Sequence, residues 1–254
     1  MDHRTLIKLS ATFCLATLPA LLTGCSTASP HMSSHSHTNQ TPHSFTYKQT
    51  RTAKINYLLH LPKNYDGKGS EKYPLILFLH GAGERGTNIW KVATHGPAHV
   101  VTTNSDFPFI VVSPQCPEGQ HWESESLLAL LDDVKKRYAV DKHRVYLTGL
   151  SMGGYGAWAM GIQYPDLFAA VAPVCGGGEP DAVCALENTP VWAFHGDEDS
   201  VVDISESQKM VNALEACGGD VKFTVYPGVG HDSWTQTYNN PELYQWFLSH
   251  KRHA

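Results

Sequence analysis

The sequence predicts an α/β fold, a mostly parallel sheet flanked by helices on both faces. Three observations carry this. Short, continuously apolar runs recur at residues 73–80, 109–113, 145–147, 169–173 and 191–194, and such runs suit strands buried on both faces. Stretches with helical apolar spacing lie between them. A glycine-rich turn at 149–153 joins one run directly to one of those stretches. Strands alternating with helices argue for a parallel sheet covered by helices.

Taken in order, residues 57–62 read as an early strand, followed by a turn cluster at 64–69. The run at 73–80 is the first long buried strand, and 109–113 is the next. Leu127, Leu128, Leu130, Leu131, Val134 and Tyr138 make a broad apolar stripe, with Asp132, Asp133, Lys135 and Lys136 opposite. After the strand at 145–147, a helix over 154–164 stops at Pro165. Strands follow at 169–173 and 191–194. A helix over 205–217 carries Met210, Val211 and Leu214 and ends at Gly218 and Gly219. A strand at 221–226 precedes a last helix over 241–250, which has Pro241 in its first turn and presents Leu243, Trp246 and Phe247. No internal repeat is present.

The chain has 254 residues, 42% of them hydrophobic, which suits one globular domain with a substantial core. The formal net charge of −5 and the absence of a basic cluster argue against a nucleic-acid partner. Arg4 and Lys8 flank an apolar run at 9–22 that is short for a membrane span and fits a signal segment. The run ends in Leu-Thr-Gly-Cys at 22–25, which resembles the lipobox of bacterial lipoproteins. That resemblance implies lipidation of Cys25 and an anchor in a bacterial membrane. Ser26, with no Asp at that position, favours the outer membrane. An ordinary secretory signal cleaved near Cys25 is the alternative. Residues 26–44 are polar and cannot bury enough to order themselves, so they read as a flexible linker between the 1–25 signal and a folded domain at 45–254.

Cys116, Cys175, Cys184 and Cys217 remain for the folded domain, and an exported context favours disulfides. Cys175 and Cys184 bracket one glycine-rich loop, so the expected pairs are Cys175–Cys184 and Cys116–Cys217. None shows zinc-finger spacing.

Sites in open α/β sheets gather at the carboxyl ends of the strands. The 149–153 turn, Gly-Leu-Ser-Met-Gly, fits G-x-S-x-G, in which a serine sits on a strained strand-to-helix bend. Ser151 is the candidate nucleophile. A serine hydroxyl needs a base, and the base needs an orienting acid, in the chain order Ser, acid, His. His231, on a glycine-flanked loop after the last strand, is the base. His195 comes before the carboxylates, in the wrong order, and reads as a residue holding its loop. Asp197, Glu198, Asp199 and Asp203 all compete for the acid, and periodicity does not rank them. Two N–H donors are needed for an oxyanion. Met152 follows the nucleophile, and the second comes from the loop opened by His80 and Gly81, at Ala82 or Gly83.

With these loops in place the chain resembles the α/β-hydrolase superfamily, in particular bacterial secreted or lipoprotein carboxylesterases of the phospholipase/carboxylesterase and dienelactone-hydrolase-like type, related to feruloyl esterases and polyhydroxybutyrate depolymerases. The resemblance spans residues 57–248 and rests on 79–86, 149–154, 195–199 and 230–234. It implies a catalytic domain over 45–254 and places the acid at Asp199. The implied activity is hydrolysis of small to medium acyl esters through an acyl-enzyme, feruloyl or acetyl esters of polysaccharide included, with a small-molecule ester as partner and no metal or organic cofactor. A prolyl-oligopeptidase-like peptidase and a non-catalytic ligand-binding lipoprotein are the rival readings. No long insertion breaks the alternation, so the site should be open, with Trp122 or Trp234 walling an acyl pocket and Glu84 and Arg85 forming an ion pair nearby. The sequence leaves the oligomeric state open.

Overall fold

The computed structural model describes residues 39–48 and 52–252. The signal segment, Cys25 and the linker up to residue 38 lie outside the described residues. Eight strands form one sheet: β1 (Gln40–Lys48), β2 (Thr52–His60), β3 (Tyr73–Leu79), β4 (Ile110–Pro114), β5 (Val140–Leu150), β6 (Ala170–Val174), β7 (Val191–Gly196) and β8 (Val221–Tyr226). Their spatial order is β1-β2-β4-β3-β5-β6-β7-β8. The β1–β2 and β2–β4 pairs are antiparallel, and every pair from β4 to β8 is parallel. Among the described residues six α-helices accompany them: α1 (Gly96–Thr103), α2 (Ser124–Arg137), α3 (Met152–Gln163), α4 (Ser205–Ala216), α5 (Trp234–Asn239) and α6 (Pro241–Ser249).

Side chains alternate across a strand, so a strand covered on both faces must be apolar at every position. In β3, Leu75, Leu77 and Leu79 pack with Leu130 and Leu131 of α2, Trp158 of α3 and Met210 of α4. Ile76 and Phe78 face the other way, onto Ala98 of α1, Tyr238 of α5 and Phe247 of α6. The expected strands and helices all appear, and the fold is that of the α/β-hydrolases. Among the described residues, no helix is long and apolar enough to cross a membrane.

Two expectations are corrected, the linker boundary and the disulfide pairing, and two helices add to those expected. Residues 40–44, assigned to the flexible linker, form the first half of β1. Backbone pairing to β2 orders this polar edge strand, and the His43 ring stacks on Tyr57 at 5.3 Å between centroids. Helices α1 and α5 escaped detection because they are short and lack a clear apolar stripe. Neither expected disulfide forms. Cys184 bonds Cys217, and Cys116 and Cys175 are free and buried. The chain leaves β6 at Cys175 pointing into the core beneath the serine turn. It then crosses to a 3-10 turn at Pro180–Leu186 that packs on α4, which brings Cys184 to the carboxyl end of that helix with 5.5 Å between Cα atoms.

Candidate active site

The turn from β5 into α3 puts Ser151 at φ 53°, ψ −118°, a strained conformation for a residue with a side chain. Crowding explains the flanking glycines. A Cβ on Gly153 would sit 1.9 Å from the Leu79 carbonyl oxygen, and one on Gly149 would sit 2.2 Å from the Gly153 oxygen. Backbone contact this close locks the amino end of α3 against the end of β3, so Ser151 and the loop after β3 face the same space.

The loops after β7 and β8 complete a hydrogen-bonded row. His231 Nε2 lies 2.9 Å from Ser151 Oγ, and His231 Nδ1 donates to Asp199 Oδ2 at 2.7 Å. Asp199 Oδ1 accepts the backbone N–H groups of Val201 and Val202, each at 2.9 Å. Burial acts to raise the Asp199 pKa, but the bonds from His231, Val202 and Val201 outweigh it and hold the carboxyl below its usual range. An ionised carboxylate on Nδ1 fixes the tautomer that leaves Nε2 free to take the serine proton.

The other three carboxylates have different work. Asp197 accepts the Gly228 N–H at 2.6 Å and ties the loop after β8 to the end of β7. Glu198 is exposed. Asp203 accepts the Ser205 N–H at 2.8 Å at the start of α4. Only Asp199 reaches an imidazole of the row.

Opposite the serine, a 3-10 turn at Ala82–Glu84 follows β3. Ala82 and Met152 each open a helical turn, where N–H groups lack an intrahelical acceptor. His80 anchors this loop. Its Nε2 accepts the Cys116 N–H at 3.0 Å, so Nδ1 bears the proton and donates to the Gly81 carbonyl at 2.6 Å. Burial pulls its pKa down to about 4, which keeps it neutral. Glu84 and Arg85 do not pair with each other. Glu84 lies 3.9 Å from both His80 and His95, while Arg85 donates to the carbonyls of Ala82 and Gln120. Arg85 therefore joins the loop after β3 to the loop carrying Trp122.

A cavity of about 430 Å³ opens beside Ser151, lined by His121, Trp122, Met152, Tyr155, Gly156 and Ala159. Trp122 is its wall, held by an Nε1–H bond to the His80 carbonyl at 3.1 Å. Trp234 does not line it. Its ring packs edge-on against His231 at 5.1 Å between centroids and against His95. Tyr155, Gly156 and Ala159 were missed in the sequence, although their spacing one turn past Met152 puts them on the same side of α3.

One grouping of metal-ligating side chains occurs among the described residues, Cys175 with Asp199 and His231. The last two are committed to each other. Burial pushes the Cys175 thiol up to about 12, so it stays protonated.

Comparison with known proteins fits this geometry. The chain is 29% identical over 167 residues to a bifunctional acetylxylan esterase/xylanase of Neocallimastix patriciarum, covering 63% of this chain and 24% of that protein. It is 27% identical over 145 residues to poly(3-hydroxyalkanoate) depolymerase C of Paucimonas lemoignei, covering 50% and 33%. It thus spans a quarter to a third of the length of these two relatives. A thermostable esterase superposes with a TM-score of 0.71 at 35% identity over 83% of this chain and 63% of that one. A feruloyl esterase module of Clostridium thermocellum, at 18% identity and a TM-score of 0.61, shares the fold. The Esterase family model matches residues 49–252, from just past β1 to the end of the described chain, and by that match the chain belongs to the Esterase family.

Proposed function

We propose that the protein is a serine carboxylic-ester hydrolase acting through an acyl-enzyme, with Ser151 as nucleophile, His231 as base and Asp199 as its orienting acid. The observation that carries this reading is the unbroken row from Ser151 Oγ through His231 to Asp199, at 2.9 and 2.7 Å. Ser151 Oγ attacks the ester carbonyl as its proton passes to His231 Nε2, and Asp199 stabilises the imidazolium. The negative oxygen forms between the N–H groups of Met152 and Ala82, with Gly83 next in reach, each donor worth about 3 kcal/mol of barrier. His231 returns the proton to the departing alcohol. Water, activated by the same imidazole, then releases the acid.

The cavity beside Ser151 supports small to medium acyl groups. Its aromatic walls, Trp122 and Tyr155, favour a cinnamoyl-type acyl group such as ferulate as a second reading. The lipobox-like segment at 22–25 supports export and lipid anchoring through Cys25.

The test is hydrolysis of a p-nitrophenyl ester chain-length series, methyl ferulate and a chromogenic peptide by the protein and its Ser151→Ala variant. The proposal expects ester turnover that Ser151→Ala abolishes, with the peptide untouched. Esters cleaved no faster than by the variant would sink it. For the anchor, Cys25→Ser should move the protein out of the membrane fraction, and unchanged fractionation would count against lipidation.

A further inference from the structure

Gln115 follows β4 directly, is buried, and takes no part in the reaction above. Its backbone N–H donates to the Asn56 carbonyl of β2 at 2.8 Å, so the sheet fixes the base of its side chain. The side chain crosses to the loop after β3. There Nε2 donates to the carbonyls of Glu84 and Asn88, each at 2.8 Å. An amide nitrogen carries two protons, and each has an acceptor here. Turning the amide over would set Oε1 against the same two carbonyls, so these acceptors alone fix its orientation.

Glu84 closes the 3-10 turn at Ala82–Glu84, and the last carbonyls of a helical turn have no donor within it. Asn88 opens the next 3-10 turn, Ile89–Thr94, which its side chain caps by accepting the Trp90 N–H at 3.2 Å. One amide therefore ties the end of the first turn to the start of the second. Between them the Gly86 N–H donates to the Cys116 carbonyl at 3.1 Å, which lays the two loops side by side. The start of the first turn is held separately. His80 Nε2 accepts the Cys116 N–H, and the His80 carbonyl accepts Trp122 Nε1–H. Ala82 and Gly83 thus lie between two anchor points, and Gln115 supplies the second.

We propose that Gln115 is a positioning residue for the oxyanion site, its amide setting the turn whose Ala82 and Gly83 N–H groups face the negative oxygen. This rests on the ester-hydrolase reading above. Gln115 stands outside the Ser151–His231–Asp199 row and outside the lining of the cavity beside Ser151, so it acts through the backbone of the loop. The negative oxygen exists only after attack, so a misplaced turn weakens the transition state and leaves ester binding as it was. Displacement of such a group by about 1 Å costs on the order of 10²-fold in rate.

Two measurements on the full chain test this. Gln115→Met keeps the length of the side chain and removes both donors. Gln115→Asn keeps an amide one carbon too short to reach both carbonyls, and carries the test if the Met variant does not fold. The first measurement is amide hydrogen exchange by mass spectrometry, which needs no turnover. Exchange should quicken in peptides covering residues 80–90 and stay as it was elsewhere; unchanged exchange there overturns the proposal. The second is kcat and KM on p-nitrophenyl acetate, with the Ki of an alkyl trifluoromethyl ketone. Ser151 Oγ adds to that ketone's carbonyl carbon, its proton passes to His231, and the carbonyl oxygen becomes the oxyanion. The variant should lose at least about tenfold in kcat and bind the ketone at least about tenfold more weakly, with KM within about twofold. A raised KM with kcat and Ki unmoved would mean that Gln115 shapes ester binding instead, and overturns the proposal. A wild type that neither cleaves the ester nor binds the ketone refutes the ester-hydrolase reading and this proposal with it. A folded variant equal to an active wild type refutes the role of Gln115 alone.

Discussion

Acid should unfold this protein partly through His80, a buried residue outside the Ser151–His231–Asp199 row. His80 is fully buried, and its pKa falls from 6.5 to about 4. The cause is burial, opposed in part by the bond to the Gly81 carbonyl. A depressed folded-state pKa gives a stability contribution that is complete above 6.5, the unfolded value, and is lost as pH falls towards 4. The shift of about 2.5 units corresponds to about 3.4 kcal/mol in all, and about 2.5 kcal/mol of it should be gone at pH ~4.5. Protonation would also place a donor on Nε2 against the Cys116 N–H, breaking that bond. The perturbation is His80→Asn, whose amide can still donate to Gly81 but does not titrate. Urea unfolding at pH ~7.5 and ~4.5 gives the stability of each protein. The variant should be weaker at the higher pH, by about 1–3 kcal/mol for the unpaired Cys116 N–H. On acidification it should lose about 2.5 kcal/mol less than the wild type. His60, also buried with a lowered pKa, contributes equally to both and cancels. If the two proteins lose the same stability between these pH values, the assignment of His80 as a neutral anchor is wrong.

Gly153→Ala should cost stability and at least about tenfold in kcat/KM, because its Cβ would collide with the Leu79 carbonyl and push α3 away from the loop after β3; a fully active variant would contradict the packing account of the elbow. Asp199→Asn should lower kcat by about 10⁴, as loss of the orienting acid does elsewhere, whereas Glu198→Gln should leave it nearly unchanged; steady-state kinetics on p-nitrophenyl acetate decide between them. Replacing Cys184 and Cys217 by Ser opens a loop of 33 residues and should cost about 3–4 kcal/mol in urea unfolding, while Cys116→Ser or Cys175→Ser leaves that bridge in place. An undiminished unfolding free energy in the Cys184/Cys217 variant would contradict the pairing.

Much of this was readable in advance. Buried parallel strands announce themselves as unbroken apolar runs, and the loops after the strand ends could be paired from order alone, which is how Ser151 and His231 came to be expected together. The four carboxylates after β7 could not be ranked by pattern. What separates Asp199 is the three-dimensional turn in which Val201 and Val202 donate to one oxygen and leave the other for His231. Disulfide pairing was misread for a related reason. Closeness along the chain favoured Cys175 with Cys184, but Cys175 turns inward at φ 42° while Cys184 rides a surface turn to α4. The β1 strand was hidden because an edge strand gains its order from backbone bonds, which leave no mark on side-chain polarity. The role of His80 was equally hidden, since it is defined by the partners of both ring nitrogens.

The central claim is that Ser151 becomes covalently acylated. The most direct measurement is reaction of the full chain with a p-nitrophenyl phosphonate ester, followed by release of p-nitrophenol and mass-spectrometric mapping of the adduct. The account predicts one equivalent of p-nitrophenol per chain, loss of esterase activity in step with it, and the phosphonyl group on Ser151. An adduct on another residue, or full activity with Ser151 unmodified, would contradict it.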